Sequence, residues 1–363
     1  MDELGRYQCQ INLDEIGEAG QLKLKLARVL CVGAGGLANS ALPYLAACGV
    51  GRITLVDGDA VSESNLHRQV MFTPEDVGKP KAAVMAARLQ AQNPVVTLTA
   101  VEEFLELSNV QTLIEQHDVV LDCSDNYFTR YLVSDYCQAT QTPNIYAAVV
   151  GFEGMVTVFS TPEQGGCYRC LYPEPPALQN VGNCSDMGVL GTVPGLLGLM
   201  QATEALKYLL GMASPLTTQL LKADFLSLNF KLRSRPDAQR CPLCSGKQSL
   251  AELGRYSAYK TFQSGKVKQL PASQLDAVRA HYYCLDVREA NEVAAFDLGF
   301  HSLPLSQLAL EALPSNRAEP ILIACAHGMR SQMVCQLLLQ EGYTDVTNLQ
   351  GGAAAYQREQ GHD

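Results

Sequence analysis

The chain has no stretch approaching the ~20 uninterrupted apolar residues that a membrane-spanning helix requires. Its most apolar run, 191–212, carries Gln201, Glu204 and Lys207 and reads as a buried helix instead. Positive charge is also short: 27 Lys and Arg against 37 Asp and Glu leave a formal net charge of −10, which counts against nucleic acid as the main partner. The opening residues, MDELGRYQCQ, lack the apolar segment of an export signal, and the chain has no internal repeat or low-complexity tract. These absences set the expectation of a soluble, cytoplasmic protein with no membrane partner. In that setting the 13 cysteines argue for metal or thiol chemistry rather than a disulfide framework. Cys31, Cys48, Cys123 and Cys137 fall in apolar strand or helix patterns and read as core residues.

At 363 residues and 47% hydrophobic content, the chain exceeds one ordinary core and should form two domains. The stretch 28–59, RVLCVGAGGLANSALPYLAACGVGRITLVDGD, reads as strand, glycine turn, helix and strand. The turn holds Gly33, Gly35 and Gly36, and small residues there let backbone N–H groups and a helix N-terminus meet a phosphate. Asp57, roughly 20 residues on at the end of the next strand, is placed to hold a ribose hydroxyl. Strand and helix then alternate to about residue 150, with helices expected over 81–92, 105–116 and 126–141. That alternation predicts a doubly wound, mostly parallel α/β sheet. Residues 154–159 follow a strand with no crossover helix and should pair antiparallel, as should one or two strands within 220–232. A smaller α/β unit follows a linker over 247–257, with strands at 283–287 and 321–324. The boundaries read as 1–246 and 258–363.

Two CxxC pairs, Cys167/Cys170 and Cys241/Cys244, supply four thiolates, a closed tetrahedral set suited to structural zinc. Arg68, Lys81 and Asp125 fall at strand ends or in the segments just after them, the ligand edge of such a sheet. Arg68 and Lys81 suit a triphosphate, and Asp125 suits Mg2+. Together with the turn they favour ATP over a nicotinamide dinucleotide. Asn126 is placed to cap the helix that follows. In the smaller unit, the stretch CAHGMRS puts Cys325 between a strand and a helix N-terminus with Arg330 nearby, surroundings that stabilise a persulfide anion.

GAGGLANSALPYLAACGVGRITLVDGDAVSESNLHRQ, VGKPKA, LDCSDN and CYRC…CPLC, in order over about 5–246, resemble the MoeB and ThiF family of ubiquitin-activating-type adenylyltransferases. Asp286-Val287-Arg288-Glu289, the Cys325 loop and Leu349-Gln350-Gly351-Gly352 resemble a rhodanese domain over about 256–357. The first resemblance implies a homodimer that binds MgATP and adenylates the C-terminal Gly-Gly carboxylate of a small ubiquitin-like sulfur-carrier protein. By position it assigns the nucleotide to Gly36 and Asp57, ribose and phosphate contacts to Ser64, Asn65, Leu66, His67, Arg68 and Lys81, and the metal and reacting centre to Asp125 and Asn126. The second implies that Cys325 bears a persulfide, loaded by a cysteine desulfurase or thiosulfate. Cys184 corresponds to a family cysteine that can bond covalently to the carrier. Two positions depart from the pattern: Cys9 replaces an arginine that reaches into the partner subunit's nucleotide site, and Ala38 replaces a frequent glycine. Three other readings remain at this point: an NAD-dependent oxidoreductase with an appended rhodanese, a non-catalytic carrier scaffold, and an enzyme that adenylates a peptide C-terminus.

Overall fold

The computed structural model describes residues 4–160, 165–173, 188–236, 238–247, 249–250, 267–326 and 328–360, which fall into two compact units, one within 4–250 and one within 267–360. Cys184 and most of the expected linker lie outside the described residues. Among the described residues no helix is long and apolar enough to cross a membrane.

The first unit is built on an eight-stranded sheet of order β3-β2-β1-β4-β5-β6-β7-β8. Its parallel half comprises β1 (Arg28–Val32), β2 (Arg52–Val56), β3 (Thr97–Val101), β4 (Val119–Asp122) and β5 (Asn144–Val150). Near-continuous apolar runs bury β1 and β4, as a strand covered on both faces requires. The antiparallel half is β6 (Glu153–Phe159), β7 (Gln219–Asp224) and β8 (Asn229–Ser234). The parallel strand order reverses between β1 and β4, and this switch point opens a crevice at their C-terminal ends.

Two helices fix that crevice from one side. The Gly36–Ala47 helix packs along Thr192–Leu210, and Gly198 makes the approach possible, since a Cβ there would overlap the Leu37 carbonyl and the Ser40 hydroxyl. Gln201, which interrupts the apolar run, is fully buried and donates both amide hydrogens, to the Asp122 and Ile145 carbonyls at 2.9 Å each. One expected helix is shorter than its pattern: it spans Val110–Glu115 rather than 105–116. The Asn109 side chain accepts from the Glu106 amide at 2.7 Å and donates to the Phe104 carbonyl, holding 104–109 as a turn.

The second unit has a five-stranded parallel sheet of order β11-β10-β12-β13-β9, from β9 (Lys268–Pro271), β10 (Tyr283–Asp286), β11 (His301–Ser302), β12 (Ile321–Ala324) and β13 (Val346–Gln350). β12 is fully buried at the centre, and the chain leaves its C-terminal end into the Cys325 loop and the Met329–Gln340 helix.

Candidate active sites and metal centre

The glycine turn closes the end of β1. Gly33 has φ +93°, and a Cβ there would sit 2.9 Å from the Cys123 carbonyl, so the turn fits against β4 only without a side chain. Gly35 precedes the Gly36–Ala47 helix, whose N-terminus has no side-chain cap, leaving the first-turn amides for an incoming anion. Gly36 backs onto Pro194 and the Arg68 carbonyl. Asp57 fastens this turn: one carboxylate oxygen accepts from the Ala34 amide at 2.6 Å, the other from the Asp59 amide at 2.7 Å. Burial pushes its carboxyl above the ordinary range, opposed by the charge of Lys81.

Asn39 was not singled out by sequence, yet it is 2% exposed and ties three segments together. Its amide donates to the Ala34 and Gly35 carbonyls at 2.9 and 3.0 Å, and its oxygen accepts from the Met71 amide at 2.8 Å. The 61–72 segment is thereby held over the turn. Glu63–Asn65 is a single 3-10 turn that carries Ser64 and Asn65 and leads into Leu66, His67 and Arg68. The Arg68 guanidinium contacts the Ser64 carbonyl at 3.1 Å and His67 Nε2 at 2.7 Å. Lys81, at the start of the Lys81–Gln92 helix, is 7% exposed and pairs with Asp59 at 3.0 Å. Asp59 is the acidic partner that sequence reasoning passed over.

Across the crevice, β4 delivers Ser124, Asp125 and Asn126. Asn126 caps the Tyr127–Thr140 helix by accepting from the Thr129 amide at 2.8 Å. Asp125 is exposed. Asp122 beneath it is fully buried; one oxygen accepts from the Ser124 amide and hydroxyl, and burial raises its carboxyl. Cys9 is exposed on the Gln8–Ile11 helix. Arg6 lies against the Lys81–Gln92 helix end, donating to the Gln92 carbonyl at 3.1 Å.

The four cysteines meet. Cys167 Sγ lies 4.0 Å from Cys170 Sγ and 3.8 Å from Cys241 Sγ, Cys170 Sγ is 3.7 Å from Cys244 Sγ, and all four sulfurs fall within 4.8 Å of one another. A tetrahedron with Zn–S of about 2.3 Å has sulfur–sulfur edges of about 3.8 Å, so the donor set fits zinc in size and chemistry. The knuckle Tyr168–Leu171 is clamped to the Tyr127–Thr140 helix by a buried two-bond pair between Arg169 and Asp135, both at 2.8 Å. The cysteine cluster is thereby tied to the same helix that Asn126 caps.

In the second unit, Cys325 is 1% exposed and its sulfur accepts from the Gly328 amide at 3.1 Å. The Ser331 hydroxyl lies between two acceptors, Cys325 Sγ at 3.3 Å and Asn348 Oδ1 at 2.6 Å, with one proton to give. A thiol lets that proton point to Asn348; a thiolate or persulfide draws it to sulfur. Asn348 is held in turn by Gln269 at 2.9 Å. Arg330 sits on the loop as expected by sequence, but its guanidinium is engaged two-fold by Glu292, at 2.8 and 2.5 Å, so its charge is largely matched locally.

Residues 7–245 match the family model described as ThiF family, and residues 272–359 match that of the Rhodanese-like domain. The chain belongs to the ThiF family. It pairs a ThiF/MoeB domain with a rhodanese-like domain. It is 44% identical over 262 residues to the sulfur carrier protein adenylyltransferase of Thermus thermophilus, covering 71% of this chain and 97% of that one. It is 35% identical over 389 aligned positions to adenylyltransferase and sulfurtransferase MOCS3-1 of Zea mays, covering 99% of this chain and 82% of the relative. The SAMP-activating enzyme E1 of Haloferax volcanii is 44% identical over 69% of this chain and 93% of its own length. Among solved structures, E. coli MccB shares the fold, with a TM-score of 0.58 at 22% identity over 67% of this chain and 73% of that one.

Proposed function

We propose that the first unit adenylates the C-terminal Gly-Gly carboxylate of a small ubiquitin-like sulfur-carrier protein and that the second supplies sulfur from a Cys325 persulfide. The observation that carries this reading is the occurrence in one ThiF-family chain of two separate reactive sites. One is an uncapped helix N-terminus beside Lys81 and Arg68, suited to polyphosphate. The other is a cysteine sulfur held by a backbone amide and a hydroxyl, suited to an anion. Relatives that span nearly the whole chain carry both activities in their names.

A carboxylate is a poor electrophile until it gains a good leaving group. The carrier carboxylate attacks the α-phosphorus of ATP and pyrophosphate departs, with Lys81 and Arg68 opposite the charge that develops on the phosphates. Gly33, Gly35, Gly36 and Asp57 form the nucleotide cradle, and Ser64, Asn65, Leu66 and His67 line the approach. Asp125 would hold Mg2+, which supplies further charge neutralisation at the polyphosphate, and Asn126 keeps Asp125 in place through its cap. Cys167, Cys170, Cys241 and Cys244 would hold zinc as a structural ion, since four protein ligands leave no open position.

Cys325 takes its outer sulfur from thiosulfate, releasing sulfite, or from the persulfide of a cysteine desulfurase. The persulfide anion attacks the acyl adenylate carbonyl, AMP leaves, and an acyl disulfide results. Attack by a second thiolate on Cys325 Sγ releases the carrier thiocarboxylate and leaves a disulfide for an external thiol to reduce. Cys184 is our choice for that thiol. A cytoplasmic homodimer completes the reading. The test is to incubate the chain with ATP, Mg2+, thiosulfate, a thiol reductant and a carrier ending in Gly-Gly. The carrier mass should change by one sulfur for one oxygen, only with ATP. An unchanged carrier would refute the reading.

A further inference from the structure

We propose that Arg235 is the charge partner of the four-cysteine site when that site holds zinc. The inference rests on the zinc reading above. A divalent ion on four thiolates leaves two net negative charges, which a buried site must offset. Arg235 lies at the end of β8, 9% exposed, with its guanidinium against the Phe159 ring at 4.9 Å and one terminal nitrogen donating to the Thr217 carbonyl. Its Nε and other terminal nitrogen are buried with no hydrogen-bond partner among the described residues. A guanidinium left in that condition carries a large desolvation cost unless a negative charge faces it.

The neighbouring cysteines supply that charge. Two consecutive glycines, Gly165 and Gly166, separate the cation from the sulfurs. A Cβ on Gly165 would collide with the Arg235 guanidinium, and a Cβ on Gly166 would lie 2.6 Å from Cys170 Sγ. The arginine and the cluster thus flank the same two residues, with no side chain between them. The charges that support the protonated guanidinium are those of Cys170, Cys167 and Cys244, against burial, which pulls it down to about 10. Among the described residues no carboxylate contributes. The ring contact and the Thr217 bond aim the group; the cluster provides its counter-charge. Arg235 is a positioning residue that acts on the metal through the thiolates.

The consequence has opposite signs in the two states. With zinc bound, the arginine is compensated and tightens the thiolates' hold. Without metal and with neutral thiols, it is an unmatched buried cation. The experiment uses the full chain and its variants Arg235→Met, Arg235→Gln and Arg235→Lys. Zinc affinity is measured by competition with a chromogenic chelator, and melting is followed for zinc-loaded and stripped protein.

Loss of the charge in Arg235→Met and Arg235→Gln should weaken zinc about 10- to 100-fold, the range for supporting residues around a metal site. Gln keeps a donor for Thr217, so equal loss in both variants assigns the effect to charge. Arg235→Lys should retain more affinity than either. Stripped Arg235→Met should melt no lower than stripped parent, while its zinc-loaded form melts lower. Unchanged zinc affinity in Arg235→Gln, or equal destabilisation of loaded and stripped forms, would overturn the proposal. A parent chain that binds no zinc would overturn the zinc reading itself, and this inference with it.

Discussion

At the scale of single residues, the two reactive centres depend on groups whose partners are distant in sequence. Lys81 is nearly enclosed and held by Asp59, 22 residues earlier. Replacing it with Met should remove a preorganised cation from the phosphates and lower carrier-dependent ATP–pyrophosphate exchange by about 10²–10³-fold, the usual cost of one charge-stabilising donor. An exchange rate within a few-fold of the parent would show that Lys81 is not at the phosphates. Ser331→Ala withdraws the hydroxyl that can turn to the Cys325 sulfur. A hydrogen bond to a charged group contributes about 1.5–3 kcal/mol, so sulfur transfer should slow by about 10- to 100-fold while exchange is untouched. The places of Asp57, Lys81 and Cys325 in the fold could be read from the sequence because a glycine turn or a strand-to-helix junction announces them locally. Asn39 could not. It sits in an apolar helix pattern, and only the fold reveals that it joins the turn to Met71, 32 residues on.

At the scale of elements, the helices owe their ends to local chemistry that sequence partly discloses. The Asn126 cap was legible from its position before a helical run. The late start at Val110 was not, because Asn109 folds 104–109 back on itself despite an apolar, helix-like spacing. The same short helix carries a buried histidine just past its end. His117 bridges the Leu113 carbonyl and the Thr54 hydroxyl of β2, and burial lowers its basicity. An unfolded chain therefore takes up this proton at a higher pH than the folded one. Stability is complete above the unfolded value near 6.5 and falls as pH drops through it, by at most about 1.4 kcal/mol per pH unit for one proton. The loss of melting temperature between about pH 7.5 and pH 5.5 should shrink in His117→Gln. An equal loss in both proteins would place the acid sensitivity elsewhere.

At the scale of the whole molecule, one chain combines a switch-point crevice in an eight-stranded sheet with a cysteine loop at the end of β12 in a second sheet. The alternation of strand and helix disclosed the parallel sheet, and the missing crossover after β5 disclosed its antiparallel extension. The joining of the two CxxC pairs, 74 residues apart, was legible from donor chemistry alone, because four thiols in one chain have few other uses. The buried cation beside them was not, since nothing in its local sequence separates Arg235 from the other arginines nearby. In the proposed function the two units divide the labour: carboxylate activation in the first, sulfur delivery in the second. Cys325→Ala tests it most directly, assayed in parallel for carrier-dependent ATP–pyrophosphate exchange and for thiocarboxylate formation. Exchange should persist at the parent rate while thiocarboxylate formation from thiosulfate is abolished. Loss of exchange together with transfer, or transfer that continues without Cys325, would contradict it.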